Sequence, residues 1–270
     1  MTTNKKSEEI NEKLREIHEK WEITKLKPYM DQHKDMNISK PFEFGVSDDF
    51  CRDENHSASD LIKVMVVGQE TNKFHLHDDP DEKYRCDQQW SIDYFNAQLN
   101  KAKFDDIDIN TSSYWNLFRT LKKNKMISCW NNIDNVQQYE SRDSYIGINS
   151  IQLNKEAESE LNSKIGDKPN DKTLLQYQIE IVEPDIVLFV IGPKYKHSLA
   201  TALNIDENAL SDEYTPYYST KLSGKENKDY VKNITKLTNY KIPVYWSYHP
   251  AYLNRRGKIE ELVEQIKNKK

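Results

Sequence analysis

The segment KTLLQYQIEIVEPDIVLFVIGP, residues 172–193, determines the fold class that we predict from the sequence. Residues 172–183 have the pattern of a helix, which Pro184 ends because proline cannot continue an α-helix. The next eight residues, 185–192, form a β-branched apolar run that is typical of a strand buried in a parallel sheet. Pro193 then begins a second helix. This helix–strand–helix unit favours an α/β fold.

Other parts of the chain repeat the alternation of strand and helix. Apolar runs predict strands at 61–68 (LIKVMVVG) and 242–248 (IPVYWSY), and a weaker strand candidate lies at 144–151 (SYIGINSI). The remaining predicted helices are 88–101, 112–125, which a serine caps, and 258–269. This order of elements predicts a three-layer α/β sandwich around a central, mostly parallel four-stranded sheet.

Two regions lie outside this pattern. Residues 5–25 predict an amphipathic helix, followed shortly by Pro28, which either packs on the body or binds a partner. Residues 31–60 are polar and irregular, and residues 204–241 indicate a polar insertion on the surface. The predicted units are an N-terminal helical extension at 1–59, packed on the body, and an α/β domain at 60–270.

The composition limits the classes of function. The formal net charge is −5, which argues against a protein that coats nucleic acid non-specifically but leaves room for a local basic track. No run of 18 apolar residues is present, so we expect no membrane span. The first residues lack an apolar signal core, so we expect a cytoplasmic protein.

Neither a metal ion nor a cofactor is expected. The three cysteines, Cys51, Cys86 and Cys129, are scattered and form no CxxC pair. The HLHDD stretch at 75–79 has the spacing of metal ligands, but no third ligand is evident. A loop that shapes a pocket or contacts a partner fits this stretch better.

Unusual residues lie in or directly after three of the predicted strands. They are GQETN at 68–72 after the first, INS at 148–150 within the second and HPAYLNRRG at 249–257 after the last. In open parallel sheets, sites form at the carboxyl ends of the strands. The topology therefore predicts that these three stretches meet at one rim of the sheet.

These motifs resemble those of the uracil-DNA glycosylase superfamily. VMVVGQETN, 64–72, is similar to its first motif, in which a strand runs into Gly-Gln-Asp-Pro-Tyr or a related sequence. YHPAYLNRRG, 248–257, is similar to its second motif, His-Pro-Ser or His-Pro-Ala followed by a wedge residue. Residues 174–193 resemble the helix and central strand of the iron–sulfur families, and YIGINSI, 145–151, resembles the strand that carries a base-reading asparagine. The resemblance covers about residues 60–268.

The resemblance implies a monofunctional hydrolase that cleaves the bond between a flipped-out base and its deoxyribose. It gives Glu70 the role of stabilising the cationic sugar and activating water. It gives His249 the role of a neutral imidazole that donates to the departing base. The residues alone leave other readings open, since Glu70 can equally cap a helix or pair with Lys73, and a single histidine is more often structural.

The resemblance also implies contacts with DNA, single- or double-stranded, by a monomer. Leu253 corresponds to the wedge that enters the base stack. The residues expected to bind the DNA backbone are Asn254, Arg255, Arg256 and Lys194.

A further set of residues is implied to bind the base. Gly68 allows close approach of the backbone, and Gln69 offers its backbone N–H. Asn149 is expected to read a pyrimidine edge, and the alternatives for this role are Asn131, Asn132 and Asn154. Phe74 either stacks on the base or belongs to the core.

The sequence departs from the superfamily in two respects. The iron–sulfur families need four cysteines, so three scattered ones predict no cluster. Thr71 replaces the proline of the first motif, and Asn72 replaces the aromatic residue that closes the pocket against substituents on pyrimidine carbon 5. We therefore expect, besides uracil, a 5-substituted pyrimidine such as hydroxymethylcytosine or its glucosylated form in phage DNA. Asn72 and the insertion would line the enlarged pocket of an enzyme of phage defence.

Three other functions stay open. One is a uracil or mismatch repair glycosylase, and another is a non-catalytic DNA-binding protein of the same fold. The third is an unrelated doubly wound enzyme that acts on a small nucleotide, which the absence of a GxGxxG or Walker loop disfavours.

Overall fold

The computed structural model describes residues 3–51, 61–70, 87–101, 113–139, 150–151, 153–216 and 230–268. The strands are β1 (Asn37–Ile38), β2 (Ile62–Glu70), β3 (Met126–Asp134), β4 (Gln138–Tyr139), β5 (Ser150–Ile151), β6 (Ile186–Phe189), β7 (Val231–Asn233) and β8 (Val244–Ser247). The α-helices are α1 (Thr3–Trp21), α2 (Lys27–Gln32), α3 (Asp48–Cys51), α4 (Gln88–Asn100), α5 (Ser113–Lys123), α6 (Lys155–Leu161), α7 (Leu174–Val182), α8 (Lys196–Leu203), α9 (Pro250–Arg255) and α10 (Ile259–Lys267).

The main sheet has five strands in the order β3-β2-β6-β8-β7. The first four are parallel, and β7 is antiparallel at the edge. Val67 pairs with Asn131 on one side and with Phe189 on the other, and Phe189 pairs with Trp246. The predicted parallel sheet is therefore confirmed, with five strands rather than four, and the carboxyl ends of its four parallel strands lie at one edge.

Helices cover both faces of this sheet. Met65 and Val67 pack on one face with residues of α1, α7 and α8. Val64 and Val66 pack on the other face with residues of α4, α5, α9 and α10. The side chains alternate between the faces because successive residues of a strand point in opposite directions. This arrangement is compatible with the predicted three-layer sandwich. Among the described helices, none combines the length and the apolar character needed to cross a bilayer.

The segment that predicted the fold class has the expected local structure. Thr173 caps α7, and its side chain and that of Gln176 form a reciprocal capping box. Glu183 ends the helix in the left-handed conformation, just before Pro184. All four residues of β6 are buried, as expected for a central parallel strand.

Strand β3 was not predicted, and it forms one edge of the main sheet beside β2. Its sequence, MISCWNNID, lacks a continuous apolar run, yet most of the strand is buried beside β2. Of the 144–151 candidate, only Ser150–Ile151 falls within the described residues. It forms β5 in a separate three-stranded sheet with the order β1-β4-β5.

The N-terminal helix is longer than predicted. A π-helical turn at Glu22–Leu26 joins α1 to α2, so the helix continues past Pro28. Pro28 is the second residue of α2, directly after the π-helical turn. The following irregular segment is not a polar surface, since Phe42 and Phe44 are buried in the same core as α1.

The predicted insertion at 204–241 is wrong in part. Residues 217–229 lie outside the described part of the chain, but β7 belongs to the main sheet and pairs with β8. Tyr230 and Ile234, which flank β7, are fully buried. The polar composition hid this strand because an edge strand buries few of its side chains.

Candidate functional site

Hydrogen bonds connect the carboxyl ends of β2, β6 and β8 at one rim of the main sheet. The Gln69 side-chain amide donates to the Ile191 carbonyl, just after β6, at 2.8 Å. The Gly192 backbone N–H donates to the Ser247 carbonyl, at the end of β8, at 2.9 Å. These bonds place the GQE stretch, the end of β6 and the SYHP stretch side by side. Gln69 thus uses its side chain to join strands, in addition to any backbone role.

His249 lies at this rim as the N-cap residue of α9. Its Nδ1 accepts a hydrogen bond from the Ala251 backbone N–H at 3.2 Å, and Pro250 fixes the first position of the helix. Since Nδ1 is the acceptor, the proton of the neutral ring is assigned to Nε2. Burial lowers the pKa of His249 to about 4, and the charge of Arg255 adds to this effect. At neutral pH the ring is therefore an uncharged donor.

Tyr114 joins His249 to the first motif. Its ring stacks on the imidazole with centroids 5.4 Å apart and planes at 29°. Its hydroxyl oxygen lies 2.5 Å from the point that a Cβ at residue 68 would occupy, and the Asn132 Oδ1 lies 3.1 Å from that point. Gly68 is therefore required by close approach, and the Tyr114 ring occupies the space between Gly68 and His249.

Three buried polar atoms near this ring make no hydrogen bond of ordinary geometry within the described part of the chain. They are the hydroxyl of Tyr114, the indole N–H of Trp130 and the amide nitrogen of Asn132. Burial raises the pKa of Tyr114, and a hydrogen-bonding interaction with the Trp130 side chain acts against this shift, so these two groups serve each other in part. Buried polar groups nearly always have partners, so the Asn132 amide nitrogen marks a place where a polar ligand is expected.

The asparagines of β3 have different roles. Asn132 pairs with Gly68 in the β2–β3 ladder and is 2% exposed. Asn131 points its amide at Gln178, to which it donates at 2.8 Å, and its oxygen accepts from the Asn132 backbone N–H. Both polar atoms of the Asn131 side chain are thus occupied by hydrogen bonds within the protein. The side chain of Asn154 caps α6, so it too has a structural role.

Among the three of these asparagines that the structure describes, Asn132 is the one whose amide nitrogen is not used by the fold. Asn149 lies outside the described residues. The signal that would have favoured Asn132 is the pairing of β3 with β2, which cannot be seen until β3 is recognised as a strand.

The wedge assigned to Leu253 is wrong. Leu253 is 1% exposed and packs in the core between the sheet and the helices α5 and α10, because α9 turns this side chain inward. Its neighbour Tyr252 is half-buried and stacks on Tyr248 with centroids 4.6 Å apart. The guanidinium of Arg256 lies 5.7 Å from the centre of the Tyr252 ring. The aromatic group on the outer side of α9 is therefore Tyr252.

The other residues expected to bind DNA lie on the surface near the rim. Arg255, Arg256 and Asn254 are exposed at the end of α9, and Lys194 is exposed just after β6. The Asn254 Oδ1 accepts a hydrogen bond from Asn116 of α5 at 3.2 Å. These side chains can meet a charged partner without rearrangement of the core.

Part of the first motif is outside the described region. The backbone of Glu70 ends β2, opposite Asp134 of β3, but its side chain is not described. Asn72, Phe74 and the HLHDD stretch at 75–79 also lie outside the described residues.

Searches of protein-family models and of curated proteins find no match for this chain. The geometry of the rim is therefore what bears on its chemistry.

Proposed function

We propose that this protein is a DNA glycosylase that hydrolyses the N-glycosidic bond of a flipped-out pyrimidine. The observation that carries the proposal is the state of His249. Its ring is neutral, its Nδ1 accepts from the Ala251 N–H, and the ring proton is therefore assigned to Nε2. A donor of this kind stabilises the negative charge that develops on a departing base.

Glu70 supplies a negative charge on the sugar side of the bond in this mechanism. It ends β2 two residues beyond Gly68, at the edge where the parallel strands terminate. A carboxylate about 4 Å from the cationic sugar contributes roughly 4 kcal/mol at an effective dielectric constant near 20. It also orients or deprotonates the attacking water. The carboxylate and the imidazole thus act on the two sides of the same bond.

Asn132 completes the site by reading the base. Its amide group offers a donor and an acceptor, as a pyrimidine edge requires. The unsatisfied amide nitrogen of Asn132 supports this assignment, since a polar base would provide the partner that it lacks. The Tyr114 ring must move before a base can enter, because it occupies the space between Gly68 and His249. Tyr114 is therefore proposed to close the site in the absence of DNA.

The surface around α9 is proposed to hold the DNA. Tyr252, with Arg256 over its ring, combines an aromatic face with a cation, and such pairs stack on bases and bind phosphates. Arg255 and Lys194 add positive charge on the same rim. We propose Tyr252, rather than Leu253, as the side chain that contacts the bases next to the flipped nucleotide.

The proposed substrate is uracil or, preferably, a 5-substituted pyrimidine such as glucosylated hydroxymethylcytosine. This preference depends on Asn72, which replaces a pocket-closing aromatic residue and leaves room at carbon 5. The corresponding role is defence against phage DNA by a cytoplasmic, monomeric enzyme, as opposed to uracil or mismatch repair.

The test compares three DNAs of the same sequence that contain uracil, ordinary bases or glucosylated hydroxymethylcytosine. Released bases are identified by mass spectrometry, and abasic sites are counted by alkaline cleavage. Base release from the modified DNA, with little from ordinary DNA, supports the proposal. Equal release from uracil DNA would support a DNA glycosylase but would contradict the preference for modified bases.

A second candidate is a non-catalytic DNA-binding protein of the same fold. The observation that favours it is the position of the Tyr114 ring, which lies between Gly68 and His249. Salt-dependent DNA binding without release of any base would support this candidate.

A further inference from the structure

Three side chains away from the rim form a compact group of metal-binding type. His18 lies on α1, Glu22 begins the π-helical turn, and Glu43 lies in the irregular segment after β1. One ligand atom from each lies within 4.8 Å of the other two. His18 and Glu22 are four residues apart, which places both on the same face of a helix. The group therefore joins the N-terminal helix to the segment that packs beneath it.

His18 brings a buried imidazole to this group. The residue is 3% exposed, and its Nδ1 lies 3.2 Å from the Glu22 carboxylate. Nδ1 therefore faces Glu22 and is the ring nitrogen that can bind an ion together with that carboxylate. Imidazole is the commonest metal ligand among protein side chains.

Glu43 brings a second carboxylate to the group. Its side chain is half-buried, and its carboxylate accepts a hydrogen bond from the Gln88 backbone N–H at 3.3 Å. The group therefore offers one imidazole nitrogen and two carboxylates from three separate positions of the chain.

The backbone at this position is also unusual. The helix changes from α to π geometry at Glu22 and returns to α at Lys27. Such π-helical turns are rare and are found frequently at functional sites, because they change the direction in which side chains leave the helix. Here the change begins at one of the three candidate ligands.

We propose that His18, Glu22 and Glu43 bind a divalent transition-metal ion of the Zn²⁺ or Mn²⁺ class. One nitrogen and two carboxylate oxygens are a ligand set that these ions accept, with water completing the coordination. Tetrahedral binding with bonds of about 2.1 Å would bring the ligand atoms to about 3.4 Å from one another, a modest contraction from the present separations. The ion would fasten the N-terminal helix to the body, independently of the reaction at the rim.

The test uses the full chain after removal of metals with a chelator. Binding of Zn²⁺ and Mn²⁺ is measured by titration calorimetry, with Mg²⁺ as a hard-ion comparison, and the melting temperature is followed with and without each ion. We expect one ion per chain for Zn²⁺ or Mn²⁺. At roughly 100 times the dissociation constant, we expect a rise of about 5 °C in Tm.

Matched variants assign the binding to these residues. His18→Gln and Glu43→Gln should each abolish binding, and Glu19→Gln, an exposed neighbour on α1, should leave it unchanged. Glu43→Gln also serves if His18→Gln does not fold, since it preserves the shape of the side chain. Failure of both ions to bind would overturn the proposal. Binding that survives in Glu43→Gln, or that Glu19→Gln also removes, would overturn it too.

Discussion

The ring of Tyr114 stacks on His249 while its hydroxyl lies against Gly68, so one side chain of α5 connects β2 to the start of α9. Two motifs about 180 residues apart in the sequence thus meet through a third element that neither motif contains. The contact orients the imidazole and also fills the space beside it. Both effects can be measured.

The contact between Gly68 and Tyr114 predicts a coupling between two substitutions. Gly68→Ala places a methyl group 2.5 Å from the Tyr114 hydroxyl, so overpacking should lower the free energy of unfolding by about 1–3 kcal/mol. Tyr114→Phe removes the hydroxyl that lies against Gly68 and should change the free energy of unfolding by about 1 kcal/mol or less. In the double variant the cost of Gly68→Ala should fall by about 1 kcal/mol or more. Urea unfolding of the four proteins measures these values, and strict additivity would contradict the contact.

The lowered pKa of His249 predicts how stability depends on pH. The folded ring has a pKa of about 4, against 6.5 for the free side chain, so between these values the unfolded chain binds a proton that the folded chain does not. The contribution of His249 to stability is therefore fully present above pH 6.5 and is lost as the pH falls towards 4. His249→Asn lacks this titration and can still cap α9. The stability of the wild type relative to this variant should decline from pH 6.5 to 4, as measured by urea unfolding. A constant difference would be inconsistent with a neutral, buried imidazole.

The positions of Leu253 and Tyr252 predict opposite effects for adjacent substitutions. Leu253→Ala should lower the free energy of unfolding by about 2–5 kcal/mol, since the side chain is fully buried, and should leave the DNA affinity of the folded protein nearly unchanged. Tyr252→Ala should weaken DNA binding by roughly 10- to 100-fold, the usual value of one stacked base, with a smaller loss of stability. Fluorescence anisotropy with labelled DNA and thermal unfolding measure the two effects. Loss of DNA binding in a well-folded Leu253→Ala would restore Leu253 as the wedge.

The sequence was sufficient to predict the elements that are buried along their whole length or that carry local start and stop signals. Strand β6 is apolar throughout, because a central parallel strand contacts helices on both faces, and it lies within the run 185–192 that the sequence predicts as a strand. The helix signals at Thr173 and Pro184 are local, so they do not depend on the rest of the fold. The alternation of such elements was enough to predict the parallel sheet.

The sequence was not sufficient to predict the elements whose burial depends on a partner distant in the chain. Strand β3 carries Asn131, Asn132 and Asp134 at its buried end, and polar residues in this position argue against a strand until their partners are known. Leu253 was taken for a wedge because the motif places it after the histidine. The direction of a side chain on α9 depends on how that helix packs. Tyr114 was seen only as part of a helix, since its contacts with Gly68 and His249 are entirely non-local.

The most direct test of the central claim is the single-turnover rate of base release by the wild type, Glu70→Gln and His249→Asn, with DNA affinity measured on the same samples. If Glu70 stabilises the cationic sugar, Glu70→Gln should slow release by about 10³-fold while the affinity changes little. His249→Asn should slow it by roughly 10²- to 10³-fold. Release at the wild-type rate by Glu70→Gln, or DNA binding by the wild type with no base released from any of the three DNAs, would contradict the proposed reaction.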